Sequence, residues 1–252
     1  VTPAKQLGKG PMGGDLAALQ QAGFAEHKRR RAHGRDNGTL CLLLAACSSQ
    51  PPTPAWQMDS HGASQRALEA YLSGNQRVAT LEWQHARQAI ARTGQPARMA
   101  RLELLQCAAQ TASAMPWDCP RFEALRTDAA GPERAYAAYL AGQTLDPVQA
   151  ALLPPAQQAL ALATTDAAAA AHVLQLSDPL ARLVAAGVLL RRSQASPAVV
   201  QAAVDTASQQ GWRRPLLAWL GVQRQWAEQG GQPDVAARIR RRMDLVEQGA
   251  AP

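Results

Sequence analysis

Arg66-Ala67-Leu68-Glu69-Ala70-Tyr71-Leu72-Ser73-Gly74 returns in the same register as Arg134-Ala135-Tyr136-Ala137-Ala138-Tyr139-Leu140-Ala141-Gly142. Each stretch is alanine- and leucine-rich, free of β-branched residues, and closed by a glycine where a helix C-terminus favours one. Working outward, Asp178-Pro179 carries the signature of a helix start, and Leu180, Leu183, Val184, Gly187 and Val188 follow at helical spacing. Leu189 and Leu190 widen that stripe and predict a central helix. Ala79, Trp83, Ala86 and Ile90 form another, ending at Thr93-Gly94-Gln95-Pro96, where glycine closes one helix and proline opens the next.

That punctuation recurs as Gly230-Gly231-Gln232-Pro233, and Ala237-Arg238-Ile239 then follows in the register of Ala100-Arg101-Leu102. No convincing alternating strand occurs beyond residue 60. The two copies of the opening stretch lie 68 residues apart, about twice the 34-residue period of tetratricopeptide repeats. The sequence therefore predicts an all-α chain: an α-solenoid of degenerate tetratricopeptide-like helical hairpins, with a plain helical bundle as the alternative. Stacked hairpins leave a groove suited to binding another protein, and such arrays rarely hold catalytic groups.

Composition agrees with helix. Of 252 residues, 47% are hydrophobic and 18% charged, which excludes disordered and collagen-like chains, while only 4% are aromatic. The formal charge of +7 suggests nucleic acid until it is divided along the chain. Seven basic and three acidic residues fall within residues 1–36, leaving 19 basic and 16 acidic for the rest. Beyond residue 36 every basic side chain is arginine, scattered among carboxylates, so no extended basic face for nucleic acid is expected.

The front of the chain reads as an address. A basic run, Lys28 to Arg31, precedes Thr39-Leu40-Cys41-Leu42-Leu43-Leu44-Ala45-Ala46-Cys47, the order of an export signal. Leu44-Ala45-Ala46-Cys47 is similar to a bacterial lipobox, in which cleavage precedes a cysteine whose sulfur carries a lipid. Ser48-Ser49-Gln50-Pro51-Pro52-Thr53-Pro54 forms no helix or central strand and reads as a tether. The expected division is a leader with lipoprotein signal peptide over 1–46, acylated Cys47 and a Ser/Pro-rich tether over 47–60, and a helical-repeat domain over 61–252. The long region before the apolar core and Asp36 beside it depart from the usual signal; a later start, at Met12 or beyond, would shorten the leader.

If Cys41 leaves with the signal and Cys47 is acylated, Cys107 and Cys119 remain as one pair in an oxidising compartment. They are disulfide candidates around Pro116 and Trp117; two separately buried thiols are the alternative.

Little else carries chemistry. His61, His85 and His172 are the histidines beyond the leader, and Glu82-Trp83-Gln84-His85 has the Glu-x-x-His spacing of a di-iron ligand pair. A di-iron site needs a second such motif plus two further glutamates, and the chain does not repeat the motif, so no metal, no catalytic residue and no cofactor other than the lipid on Cys47 is expected. Arg238, Arg240, Arg241 and Arg242 form the densest charge run, on a helix whose buried stripe is Val235, Ile239, Met243 and Val246. A solvated face is the plain reading, and docking of an acidic partner or anionic headgroups the functional one. Arg191, Arg192, Arg213 and Arg214 extend that surface only if the fold gathers them. Trp219, Val222 and Trp226 share a face and read as core. Trp212, Arg213 and Arg214, between Gly211 and Pro215 at a hairpin junction, are the partner-binding candidates, because tryptophan and arginine dominate interface hot spots, although core packing is the leading reading of Trp212.

The lipobox together with the hairpin pattern, including Ala67 to Gly74 and Gly211 to Leu220, resembles a family of small proteobacterial outer-membrane lipoproteins with a tetratricopeptide-like domain. That family includes activators of bifunctional penicillin-binding proteins. The resemblance spans Arg66 to Leu245 plus the lipobox, and rests on no catalytic motif. It implies a lipid-anchored protein on the periplasmic face of the outer membrane, a destination that Ser48 after Cys47 also favours by family precedent. The implied partner is a periplasmic protein, a bifunctional penicillin-binding protein first, activated without chemistry in the lipoprotein. A scaffold for another envelope machine, such as a secretion or pilus complex, comes second, and a cell-wall enzyme third.

Overall fold

A computed structural model describes residues 53–116 and 118–249. Among these residues the chain is all-helical, with twelve helices: α1 Ala55–Leu72, α2 Gln76–Ala91, α3 Pro96–Ala112, α4 Pro120–Glu123, α5 Gly131–Leu140, α6 Pro147–Ala150, α7 Pro155–Ala161, α8 Asp166–Gln175, α9 Pro179–Arg191, α10 Pro197–Gln210, α11 Arg213–Gln229 and α12 Pro233–Gln248.

The first helix corrects a boundary. α1 begins at Ala55, directly after Pro54, and Ser60 is already buried, so the ordered domain starts before the expected limit at 61. The physical reason is local: after Pro54 nothing breaks a helix before Gly62, and that glycine is carried inside α1.

Helix ends follow the punctuation of the sequence. Asp178 caps α9 through a side-chain oxygen that accepts from the Ala181 amide at 2.7 Å. Asn75, Thr165 and Ser196 cap α2, α8 and α10 in the same way. The repeated stretch produces two C-termini with matching hydrogen bonds. Gly74 donates to Tyr71 and Asn75 to Ala70; Gly142 donates to Tyr139 and Gln143 to Ala138. Both glycines lie in the left-handed region, at φ 86° and 80°, as this closing turn requires. Gly211 and Gly231 end α10 and α11 by the same bonding, while Ala114 and Ser193 adopt it at φ 52° and 58° without glycine's freedom.

Consecutive long helices pack as antiparallel neighbours: α1 on α2, α10 on α11, α11 on α12. Contacts between distant helices add to these, because α3 packs on α9 and α1 on α11. Gly187 permits the α3–α9 crossing, since a Cβ there would run into the backbone carbonyl of Thr111. Leu183, Val184, Val188 and Leu189 of α9 are fully buried, as its central position demands. Trp219 of α11 is also fully buried, and its indole donates to the Ala112 carbonyl of α3 at 2.9 Å.

Buried carboxylates are paired across helices. Arg87 of α2 grips Glu103 of α3 through two bonds, at 2.6 and 2.7 Å, and Arg101 of α3 bonds Glu133 of α5 at 2.7 Å. The bidentate Arg87 satisfies both oxygens of a desolvated carboxylate that would be costly alone, whereas Glu133 keeps one buried oxygen without a hydrogen bond. Gln157 is buried between Tyr139, whose hydroxyl donates to it, and the Ala181 carbonyl, which accepts from it, tying α5, α7 and α9 together.

Candidate functional site

Leu44, Ala45, Ala46 and Cys47 lie outside the described residues. What the fold supplies at that end is the start of α1, immediately after Pro54, so any tether enters the domain there.

Cys107, in α3, and Cys119, just before α4, are joined by a disulfide with Cα atoms 6.0 Å apart. Both cysteines are buried. The bridge ties the short helix α4 and its buried Phe122 back onto α3 across a segment that proline prevents from continuing as helix.

The three partner-binding candidates stand at a helix junction, but inside it. Trp212 is only 5% exposed, where a hot-spot tryptophan would have to be accessible. It precedes α11 and packs in the core, because its ring is too apolar to leave uncovered. Arg213 donates to the Gly74 carbonyl at 3.3 Å. Arg214 donates to the Tyr71 carbonyl and to Gln76, each at 2.8 Å, and lies over the Tyr71 ring at 4.3 Å from its centroid. These arginines satisfy carbonyls at the C-terminus of α1, where cations are favoured. The expectation of an exposed Trp–Arg–Arg cluster is corrected accordingly: Trp212 belongs to the core, and Arg213 and Arg214 tie α11 to the end of α1.

Arg192 does the same at the other copy of the repeated stretch, and Arg191 at the end of α3. Arg192 donates to the carbonyls of Gly142 and Gln143 at 3.0 and 2.7 Å, and Arg191 to Met115 at 3.0 Å. The absence of Cβ at Gly74 and Gly142 makes room for these arginines, since a Cβ would lie 2.8 Å from the Arg213 guanidinium and 3.2 Å from the Arg191 side chain.

A cleft of about 380 Å³ opens between α1 and α2, lined by Met58, Asp59, Gly62, Arg66, His85 and Arg92 among others. Glu82 sits near its rim, bonded by Arg66 at 2.9 Å and with His85 Nδ1 at 3.7 Å. The Arg66 hydrogen bond holds the Glu82 carboxyl below the usual carboxylate range against a smaller opposing effect of burial. Glu82 and His85 therefore form part of an ion-paired surface with an arginine, and that arginine occupies the carboxylate a metal would need. Among the described residues no group of three or more His, Cys, Asp and Glu is arranged to hold a metal ion, and no helix is long and apolar enough to cross a membrane.

Sequence reasoning missed the cleft and the role of Tyr71. Tyr71 lies within the repeated stretch, whose recurrence was the available signal; what it stacks on is set by a helix more than 140 residues away in the chain. Of the expected α12 stripe, Ile239, Met243 and Val246 are half-buried and packed on the core, Val235 is half-buried, and the residue fully covered is Ala236, while Arg238, Arg240 and Arg241 are exposed. No family model, curated protein or solved structure matches this chain.

Proposed function

We propose that this chain is an outer-membrane-anchored lipoprotein whose helical domain, built from degenerate tetratricopeptide-like hairpins, acts in the periplasm as a protein-binding adaptor without chemistry of its own. The Cys107–Cys119 disulfide carries this reading. A buried bridge belongs to an oxidising compartment, and that supports export of a chain whose Leu44-Ala45-Ala46-Cys47 reads as a lipobox. The partner class rests on the family resemblance: a bifunctional penicillin-binding protein whose active conformation binds the adaptor more tightly, so that binding shifts the population toward activity.

Labelled palmitate should enter the full chain and not Cys47→Ser, which should leave the membrane fraction while keeping its helicity. Purified domain should raise glycan polymerisation by the cognate synthase. Unchanged membrane association of Cys47→Ser overturns the anchor, and a synthase that neither binds nor responds overturns the partner class.

A further inference from the structure

The last helix presents a face that the fold does not use. Val235, Ile239, Met243 and Val246 of α12 are half-buried, Ala236 is buried, and together they seat the helix on α11. Arg238, Arg241, Arg242 and Leu245 fall at i, i+3, i+4 and i+7 and so share a different face. Arg238 and Arg241 are exposed, Arg242 is half-buried at the edge, and Leu245, between the arginines and the helix end, is 69% exposed. Among the described residues these three guanidinium groups make no hydrogen bond or ion pair. Asp244 and Glu247 follow Arg240 at i+4 and i+7 on the opposite flank, while Asp234, in the first turn where it complements the helix dipole, stands one turn before Arg238 on the same face and forms no ion pair with it among the described residues.

Other unengaged arginines, Arg77, Arg92 and Arg121, are exposed but scattered on separate elements, whereas these three share one face of one helix. Arg87 and Arg101 hold buried carboxylates, and Arg192, Arg213 and Arg214 hold helix-end carbonyls. We infer that the Arg238/Arg241/Arg242/Leu245 face of α12 is a docking surface for an acidic segment of a protein partner, its carboxylates spaced by about one helical turn and accompanied by an apolar side chain that covers Leu245. Guanidinium groups pair carboxylates in a bidentate fork, and arginine is enriched at interface hot spots. A lipid surface fits less well, because an interfacial helix needs a broad apolar face to insert, and here that face is folded against α11, leaving a single leucine. This inference rests on the adaptor reading and adds the surface and the chemistry of its partner.

The test uses the folded domain and a fluorescein-labelled helical peptide of glutamates and leucines, with its glutamine counterpart as control. The glutamate peptide should bind, more weakly as salt rises, and the glutamine peptide should not. Replacing Arg238, Arg241 and Arg242 together by glutamine should weaken binding about tenfold, while the same replacement at the exposed Arg77, Arg92 and Arg121 should not. Leu245→Ser, which leaves the charges and the seated face untouched, should also weaken it, and circular dichroism should show unchanged helicity in every variant. Equal binding by the two triple variants overturns the assignment. Arginine-dependent binding to phosphatidylglycerol vesicles without binding to the peptide overturns it in favour of a membrane surface. Synthase stimulation that survives the α12 triple variant overturns the docking face and leaves the adaptor reading standing; a lipid anchor that fails with peptide binding intact does the reverse.

Discussion

Arg214 lies over the ring of Tyr71 at 4.3 Å while its Nε donates to the Tyr71 carbonyl at 2.8 Å, so one side chain covers the face and caps the backbone of the same residue. The contact joins α11 to α1 across 143 residues of sequence. It makes the end of the first repeated stretch dependent on a helix far beyond it.

Arg214→Ala should therefore destabilise by about 2 kcal/mol, combining lost charge-assisted hydrogen bonds with a lost cation–π contact. Arg214→Lys should recover less than half of that, because an ammonium keeps the charge but neither stacks nor bonds Tyr71 and Gln76 together. Urea unfolding is the measurement, read as a lower midpoint at constant slope.

Tyr71 adds a pH dependence with a definite sign. Burial pushes its hydroxyl above the ordinary tyrosine range, against the opposing charge of Arg214. The folded state then keeps a proton that the unfolded state releases, so stability is intact below the unfolded pKa of about 10 and falls as pH rises above it. Urea midpoints should drop above that pH in the wild type, and less in Tyr71→Phe. An equal alkaline drop in both would assign the effect to other groups.

What the sequence made legible is local. Asp178 caps α9, Pro96 and Pro233 open α3 and α12, and Gly74 and Gly142 close their helices with the same bonds, each because the chemistry of the signal acts within a few residues. The shared register of Ala100 and Ala237 was legible too, yet Ala100 is fully buried and Ala237 exposed. Identical local codes sit in a central helix and a terminal one, and burial depends on what packs outside. The Arg–Arg pairs failed as surface markers for the same reason: two adjacent arginines look solvated until a distant helix end offers them carbonyls. The short helices α4, α6 and α7 carry too few residues to show a period, and the boundary at Ala55 was hidden by reading the tether through its prolines alone.

The disulfide should contribute roughly 3 kcal/mol in the chain-entropy model. Cys107→Ser with Cys119→Ser should lower the thermal midpoint, and reducing agent should shift the wild type toward the variant without moving the variant itself. Two free thiols on titration of freshly purified periplasmic protein would remove both the effect and the main support for export.

Ser193 adopts φ 58° at the end of α9, where Gly74 and Gly142 occupy equivalent turns. Because a Cβ is strained there, Ser193→Gly should stabilise by about 0.5 kcal/mol after the greater freedom of glycine in the unfolded chain is subtracted. The residue is exposed and its side chain makes no bond among the described residues, so little is lost to offset the gain.

Gly187 tests whether the distant packing matters to the whole domain. A Cβ at this position would collide with the Thr111 carbonyl, a backbone atom that cannot swing away, so Gly187→Ala should force α9 off α3 and cost several kcal/mol. Gly221, in the middle of α11, has nothing near its absent Cβ, and Gly221→Ala should instead stabilise by about 0.5–1 kcal/mol. The pair separates helix propensity, which favours alanine at both sites, from packing, which forbids it at one. If hairpins contacted only their neighbours, damage at α9 would melt one part of the array ahead of the rest. With α3 on α9 and α1 on α11, Gly187→Ala should lower one shared transition, followed equally by Trp fluorescence and by circular dichroism. Separate transitions in the two signals would mean that the crossing couples less of the domain than its position implies.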